Sequence, residues 1–334
     1  MGVGNLKDTF IDPSEAASFQ EKYIKSHNCG TGGPLPVAIV RAMMIIRLNS
    51  FAHGVSAISL ETVEMLETML NSGVIPLVLN EGSVGASGDL VPLAMIAGVM
   101  IGLPESQAWY EGELMSAQEA LDKAGLNPVQ LGFKEAMALT NGTNFMSAGA
   151  VFACKETEHL LLAANYAAAL SLEAIRGEKD AFSRFLAEKR PHSGIIEVSE
   201  LMRALLKGSM RATEEAQKVV FKGQDPSTAT ERVQDRYCFR AVPPVHGAAL
   251  EAWHKFREVV EIEINSVTDN PLFEDTGEEL KFHSGSNFHG QPLANVIDYL
   301  KLSLTSLSLI SDKRSFSMLN KHLSFGLPSN LAIA

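Results

Sequence analysis

The sequence is poor in cysteine and in positive charge. Three cysteines stand among 334 residues, Cys29, Cys154 and Cys238. They are too few and too far apart for a disulfide framework or a metal-ligand rhythm, and the pattern suits a reducing cytosol, so a cytoplasmic location and no metal are expected. Lysine and arginine number 28 against 39 aspartates and glutamates, a net charge of −11. That balance disfavours nucleic acid and anionic membrane as partners. It does not disfavour a small acidic substrate, because one buried arginine decides a carboxylate site whatever the net charge. The opening residues, Met1-Gly2-Val3-Gly4-Asn5-Leu6-Lys7, form no apolar signal region, and the apolar run at 93–103 has about half the length a membrane span needs. Internal repeats and low-complexity linkers are also missing, and no boundary stands out.

What is present is a chain with 46% apolar residues, enough for a large core. Asp12-Pro13-Ser14-Glu15 marks a helix start, with Asp12 able to cap, Pro13 in the first turn and Glu15 favourable with the dipole. This helix should reach 26 or 27, where Cys29-Gly30-Thr31-Gly32-Gly33-Pro34 breaks it. A second helix is expected over 36–53. A third, capped by Ser59, puts Leu60, Val63, Leu66 and Leu70 on one face and stops at Asn71-Ser72-Gly73. Residues 74–79 should run extended into a Gly/Ser-rich stretch, followed by a helix over 89–101. Short strands are expected near Trp109 and Val129. Residues 143–175 form a long Ala- and Leu-rich helix, apolar on most sides, suited to a bundle interior or a subunit interface. Residues 176–193 read as a short helix and loop on the surface, and 199–206 and 245–263 as helical. Asp269-Asn270-Pro271-Leu272 and Asp275-Thr276-Gly277-Glu278 are turns around a small hairpin, and Pro292 opens a last long helix to about 320. The expected class is mainly α, a long-helix bundle with a few short strands.

The chain is organised around Gly82-Ser83-Val84-Gly85-Ala86-Ser87-Gly88-Asp89-Leu90. Alone, Ala86-Ser87-Gly88 is a common tripeptide in a loop that caps a helix. Gly85 and Gly88 also permit backbone angles closed to other residues, so a tight turn can bring the Gly88 nitrogen onto the Ala86 carbonyl carbon. Closing that bond and losing two waters gives a five-membered imidazolone with an exposed methylidene from Ser87. No ordinary side chain is an electrophile, so such a ring supplies chemistry that usually requires a cofactor.

Other clusters can carry chemistry. In Gln234-Asp235-Arg236-Tyr237-Cys238-Phe239-Arg240, Arg240 is a planar double donor for a carboxylate. Tyr237 offers a hydroxyl that can move a proton, and Gln234 an amide that can orient a group. Read alone, the segment is an exposed one with an ordinary Arg-Asp pair. Asn141-Gly142-Thr143 opens the long helix, with Asn141 at the cap position. Ser284-Gly285-Ser286-Asn287-Phe288-His289-Gly290 is a Gly-rich loop. Ser26-His27 ends the first helix, where a histidine is favourable with the dipole without any function.

Taken together these strings resemble the histidine, phenylalanine and tyrosine ammonia-lyases. Five ordered motifs carry the resemblance: the Gly-Ser-Val-Gly-Ala-Ser-Gly-Asp-Leu signature, Asn-Gly-Thr, Gln-Asp-x-Tyr-x-x-Arg, Asp269-Asn270-Pro271 and Ser-Asn-Phe-His. It runs from Gly2 to about Leu327. It implies the fumarase/aspartase-like ammonia-lyase fold and one domain over 1–334, with an electrophile-bearing part at 1–140 and a long-helix bundle at 141–334. It implies no external cofactor but a 4-methylidene-imidazol-5-one made from Ala86, Ser87 and Gly88. Asn141 would lie near the electrophile and the substrate amine, Arg240 would hold the carboxylate, and Phe288 would line the site. Asp89 would assist cyclisation or hold the loop. Ser26 and His27 align with the selectivity pair, where Ser-His resembles the histidine lyases, His-Leu or His-Gln the tyrosine lyases and Phe-Leu the phenylalanine lyases. A homotetramer is expected from the long apolar helices, since the run 143–175 is too apolar to be solvated, and the resemblance implies a small amino acid as substrate.

The departures lie at the ends. The family places a catalytic Tyr in a Tyr-Gly-x-x-Thr-Gly-x-Gly loop, whose last Gly-x-Gly resembles Gly2-Val3-Gly4 with Met1 at the Thr position. The Tyr itself, and a Glu of the histidine-lyase pocket, have no match here, so a partial chain or a natural truncation is expected. The implied reaction is loss of ammonia from an α-amino acid to a trans-α,β-unsaturated acid, with histidine to urocanate favoured by Ser26-His27. A tyrosine or phenylalanine lyase or aminomutase is the alternative on the same scaffold. An inactive helical assembly partner is the alternative of another class.

Overall fold

The structure is a computed structural model that describes Gly4, residues 8–213 and residues 234–332. Met1, Gly2 and Val3 lie outside the described residues. The chain forms two compact units, one of Met1–Phe152 with Val259–Ala294 and the other of Ala153–Glu258 with Asn295–Ala334.

In the first unit, Asp12 accepts from the Ser14 amide and starts a short turn, Pro13–Glu15, that runs into α1 (Ala16–His27). β1 (Thr31–Pro34), α2 (Val37–Phe51) and α3 (Leu60–Ser72) follow. Ser59 caps α3 by accepting from the Thr62 amide, and Gly73 closes it in the left-handed conformation. β2 (Ile75–Pro76) and β3 (Leu79–Glu81) lead to α4 (Leu90–Met100). β4 (Gln107–Tyr110), β5 (Glu113–Ser116), α5 (Ala117–Lys123) and α6 (Glu135–Thr140) complete the run up to α7 (Asn144–Ala174). α4 is apolar on every side, which only a core position tolerates. It packs on α1, α5 and α6, with Ile24, Met43, Met44, Leu66, Leu93 and Met100 buried in the same cluster.

The sheets are small and antiparallel. β1 pairs with β3, β4 lies between β2 and β5, and β6 (Leu272–Asp275) with β7 (Leu280–His283) forms the expected hairpin. A strand near Trp109 is present, whereas Val129 lies in no strand. Pro128 has no amide hydrogen to give a ladder, and the Val129 amide donates to Met100 O at the end of α4.

The second unit holds the rest of α7, a short turn Asp180–Phe182, α8 (Arg184–Lys189) and α9 (Ser193–Leu205). It also holds α10 (Tyr237–Arg240), most of α11 (Val242–Ile264) and most of α12 (Gln291–Leu319). Leu172, Ile175, Phe182, Met202, Phe239 and Ile310 share its core. The surface assignment for 176–193 is therefore corrected at Phe182, which is buried because α9 folds back over it. α9 and α11 meet backbone to backbone: a Cβ at Gly194 would lie 2.1 Å from Gly247 O.

Candidate active site

The signature stretch forms an irregular loop between β3 and α4. Gly85 and Gly88 adopt φ of +67° and +82°, values that carry little cost only for glycine. Ala86 and Ser87 are exposed while Gly88 and Asp89 are buried, so the side of the turn that would carry a Ser87-derived methylidene faces open space. Gly88 is pressed against the segment that opens α7: a Cβ there would stand 2.7 Å from Gly142 N and 2.9 Å from Gly142 O.

Two sequence-remote segments of the first unit, residues 141–146 and Gly290, hold this loop. The Asn141 side chain donates from Nδ2 to Ser87 O at 2.8 Å, which fixes the amide's orientation, since a carbonyl can only accept. Its buried Oδ1 has no partner among the described residues. The Asp89 amide donates to Gly142 O at 2.6 Å. Gly290 N, just before α12, donates to Gly85 O at 2.9 Å, and Met146 packs so closely that a Cβ at Gly290 would stand 2.5 Å from its Sδ. The start of α7 is anchored in turn by Thr143, whose hydroxyl donates to Glu263 Oε1 at 2.6 Å and whose amide donates to Thr268 Oγ1 at 3.2 Å.

Asp89 is fully buried, 0% exposed. It accepts from Ser83 Oγ at 2.5 Å and from the Met146 amide at 2.9 Å, so its carboxylate ties the loop to the first turn of α7 rather than capping its own helix. Burial pushes its pKa up to about 6 and the neighbouring Glu263 carboxylate adds to the rise, against the lowering by its hydrogen-bond donors.

His27 ends α1, and β1, four residues on, pairs with β3, which runs straight into the loop. His27 Nδ1 lies 2.9 Å from Tyr23 O. Ser26 Oγ donates to that same carbonyl at 2.8 Å. A carbonyl only accepts, so Nδ1 carries the hydrogen and neutral His27 keeps Nε2 as an acceptor. The ring is held against Tyr23, with centroids 4.4 Å apart. Phe288 is half-buried two residues before Gly290, in a loop where Gly285 N donates to Asn270 Oδ1 at 2.6 Å.

In the second unit, Tyr237 and Arg240 lie on α10 with the guanidinium 4.5 Å from the Tyr237 ring centroid. Tyr237 is 75% exposed, Gln234 is exposed, and Arg240 Nε is buried without a partner among the described residues. Asp235 is buried and accepts from the Glu178 amide at 2.6 Å, so it shapes the turn that presents the motif.

Sequence reasoning missed Met146, Glu263 and Gly290, whose roles arise from packing. It also missed Arg47, a fully buried arginine on α2 that bonds to Asn141 O at 2.9 Å. A signal for Arg47 existed: a lone cation among the apolar residues of 42–48 is out of place on a core-facing helix.

The chain is similar to ammonia-lyases and aminomutases. A phenylalanine aminomutase from Pantoea agglomerans superposes with a TM-score of 0.89 at 30% identity, over 98% of this chain and 63% of that one. A histidine ammonia-lyase from Trypanosoma cruzi gives 0.84 at 32% identity, over 97% and 58%. In sequence, histidine ammonia-lyase 2 of Fusobacterium nucleatum subsp. nucleatum is 43% identical over 330 residues, 99% of this chain and 61% of that protein. The histidine ammonia-lyase of Treponema denticola is 43% identical over 331 residues, 99% and 62%. The chain thus spans about three fifths of the length of these curated relatives. The aromatic amino acid lyase family model matches residues 1–334, and the chain belongs to that family.

The Asp89 environment has a measurable consequence. Its folded pKa of about 6 lies above the ordinary 3.8, so the folded state holds this proton more tightly than the unfolded chain. Its contribution to stability is therefore full at low pH and is lost as pH rises through about 6, on the order of 3 kcal/mol in all. Urea unfolding at a series of pH values between 4 and 7 should show that fall. Asp89→Asn should flatten it, because the amide has no proton that titrates in this range while its oxygen can still accept from the Met146 amide.

Proposed function

We propose that this chain is the electrophile-bearing portion of a histidine ammonia-lyase and that Ala86-Ser87-Gly88 cyclises by itself. The observation that carries the reading is the clamp on the turn, with Asn141 Nδ2 on Ser87 O at 2.8 Å and no room for a side chain at Gly88. In ring closure Gly88 N bonds to the Ala86 carbonyl carbon. The Ala86 oxygen leaves as water with the amide hydrogens of Gly88 and Ser87, leaving a C=N bond. The Ser87 hydroxyl then leaves as a second water with the Cα hydrogen, leaving the exocyclic double bond. The balance needs no oxidant. Asn141 keeps its donor on what becomes the ring carbonyl.

The ring supplies an electrophile that turns the amine into a leaving group. Arg240 binds the substrate carboxylate, with Gln234 orienting and the Tyr237 hydroxyl moving a proton. Asn141 Oδ1, a buried acceptor with no protein partner, suits an ammonium hydrogen. The free Nε2 of His27 suits the N–H of an imidazole, and Phe288 lines the site. A ring with no hydrogen-bonding atom would leave that acceptor unpaired, which disfavours phenylalanine. The identity of 40–43% to curated histidine ammonia-lyases supports this choice. The aminomutases among the similar solved structures favour a second reading, a tyrosine or phenylalanine lyase or aminomutase.

The working protein is read as a cytoplasmic homotetramer with a single lyase domain over 1–334, its electrophile on 1–140 and its bundle on 141–334. Leu162, Tyr166 and Leu170 on α7 and Leu302, Leu309 and Phe316 on α12 stand exposed in one chain. α12 is long and apolar enough to cross a membrane by length and composition, and burial in a bundle of copies accounts for the same face.

Three measurements test these readings. Intact mass should fall short of the sequence by two waters, and Ser87→Ala should restore full mass less only the lost oxygen; a folded wild-type chain of full mass sinks the cyclisation. Supplied with the flanking segments of its 43% identical relatives, the protein should convert histidine to urocanate. His27→Phe should then lower histidine turnover about tenfold to a hundredfold, the worth of one buried hydrogen bond to the reacting substrate. Turnover of tyrosine or phenylalanine with histidine ignored selects the second reading. Light scattering should give a particle of four chains, and paired Leu170→Asp and Leu302→Asp should break it into smaller ones; a monodisperse wild-type monomer refutes assembly.

A further inference from the structure

We infer that Arg47 is a positioning residue for ring closure, holding the Asn141-Gly142 link against Gly88 from behind. The inference rests on the reading that residues 86–88 cyclise. Arg47 sits on α2, is 2% exposed and has no carboxylate within ion-pair distance among the described residues. Burial draws its pKa down to about 10, with the Asp269 charge opposing the fall. Its polar contacts are instead three neutral acceptors. Nη2 donates to Ala138 O and, at 2.9 Å, to Asn141 O, and Nη1 donates to Asn144 Oδ1 at 3.2 Å.

Those acceptors lie on the last turn of α6, on the link and on the first residue of α7. One planar fork thus spans the whole three-residue connection between the two helices. Phe51 of the same helix lies under the guanidinium, with its centroid at 5.0 Å. A buried cation without a counter-ion is costly, and a glycine cap would close α6 without one. What the fork does that a glycine cap cannot is fix both sides of the link at once.

The opposite side of that link is the surface on which the loop rests. Asn141 Nδ2 holds Ser87 O, Gly142 O holds the Asp89 amide, and Gly142 N and O leave no room for a Cβ on Gly88. Gly142 itself is held from both directions, since a Cβ there would stand 2.4 Å from Arg47 Nη1. The layers run in order from the guanidinium through Asn141-Gly142 to Ser87-Gly88. The nucleophile of ring closure is the Gly88 nitrogen, and it can reach the Ala86 carbonyl only while Gly88 is kept forward. Without the fork the link relaxes toward the space behind it, and Gly88 follows. A displacement of about 1 Å is enough to slow a positioned reaction about a hundredfold.

The test is to synthesise the chain in a cell-free system and follow intact mass over time, with far-ultraviolet circular dichroism and a melting curve on each product. Arg47→Lys keeps the charge but reaches only one acceptor. Asn144→Ala removes one acceptor and leaves the rest of the fork. Gly142→Ala pushes on the fork from the loop side. Wild type should lose two waters. Arg47→Lys and Gly142→Ala should melt cooperatively yet lose them at least about tenfold more slowly, and Asn144→Ala should be slowed less. A purely structural arginine predicts otherwise: fewer folded molecules, each cyclised at the wild-type rate. If every variant that melts cooperatively loses two waters as fast as wild type, the positioning role is overturned. If folded wild type never loses them, the cyclisation reading fails and takes this inference with it, an outcome visible before any variant is made.

Discussion

The approach of two backbones, Gly88 against Gly142, is the constraint on which the rest of the site depends. Neither position has room for a Cβ, and the contact is framed by the Asn141–Ser87 and Asp89–Gly142 hydrogen bonds. With the loop fixed there, Ser87 faces outward, Asp89 faces inward and the Gly88 nitrogen is held by its own neighbours. Pushing the two segments apart would undo all three together.

The helices that frame this contact come from distant parts of the chain. α7 begins at it, α12 begins just after Gly290, and α11 ends beside it with Glu263 on the Thr143 hydroxyl. Their ends matter more than their lengths, because helix ends carry the amides and carbonyls that no intrahelical partner satisfies. Met146 N and Gly290 N are such groups, and both are spent on the loop.

The polar interior of the first unit follows from the same need. Arg47, Asp89, Asp269 and Glu263 are all buried, beside buried polar groups such as Glu135, Asn141 and Asn144. Lys134 bonds to Asp269 and to Ser56 O, and burial lowers its pKa, with the Asp269 charge opposing the fall. Groups of this kind lower stability unless each is hydrogen-bonded, and here each ties an irregular segment rather than a helix. The molecule accepts a costly interior to hold a turn that no regular element would hold.

By itself the sequence determined most of the helices, though not α5 or α6, and with them the caps at Asp12 and Ser59, the hairpin at 272–283 and the candidate turn at 86–88. These are local matters of period, cap and turn chemistry, decided within a few residues. It also made Asn141, His27 and Arg240 visible as candidates, through the motifs they stand in. Only the tertiary structure decided that Asn141 reaches Ser87, that Asp89 binds α7 instead of capping α4, and that Arg47 backs the link. It also moved Phe182 from the surface to a core and left Val129 out of a sheet. The first three depend on groups 54, 57 and 94 residues apart meeting at hydrogen-bond distance, and the last two on closer partners, Arg203 of α9 for Phe182 and Met100 for Val129. Such meetings are set by how helices pack, and no window along the chain contains them.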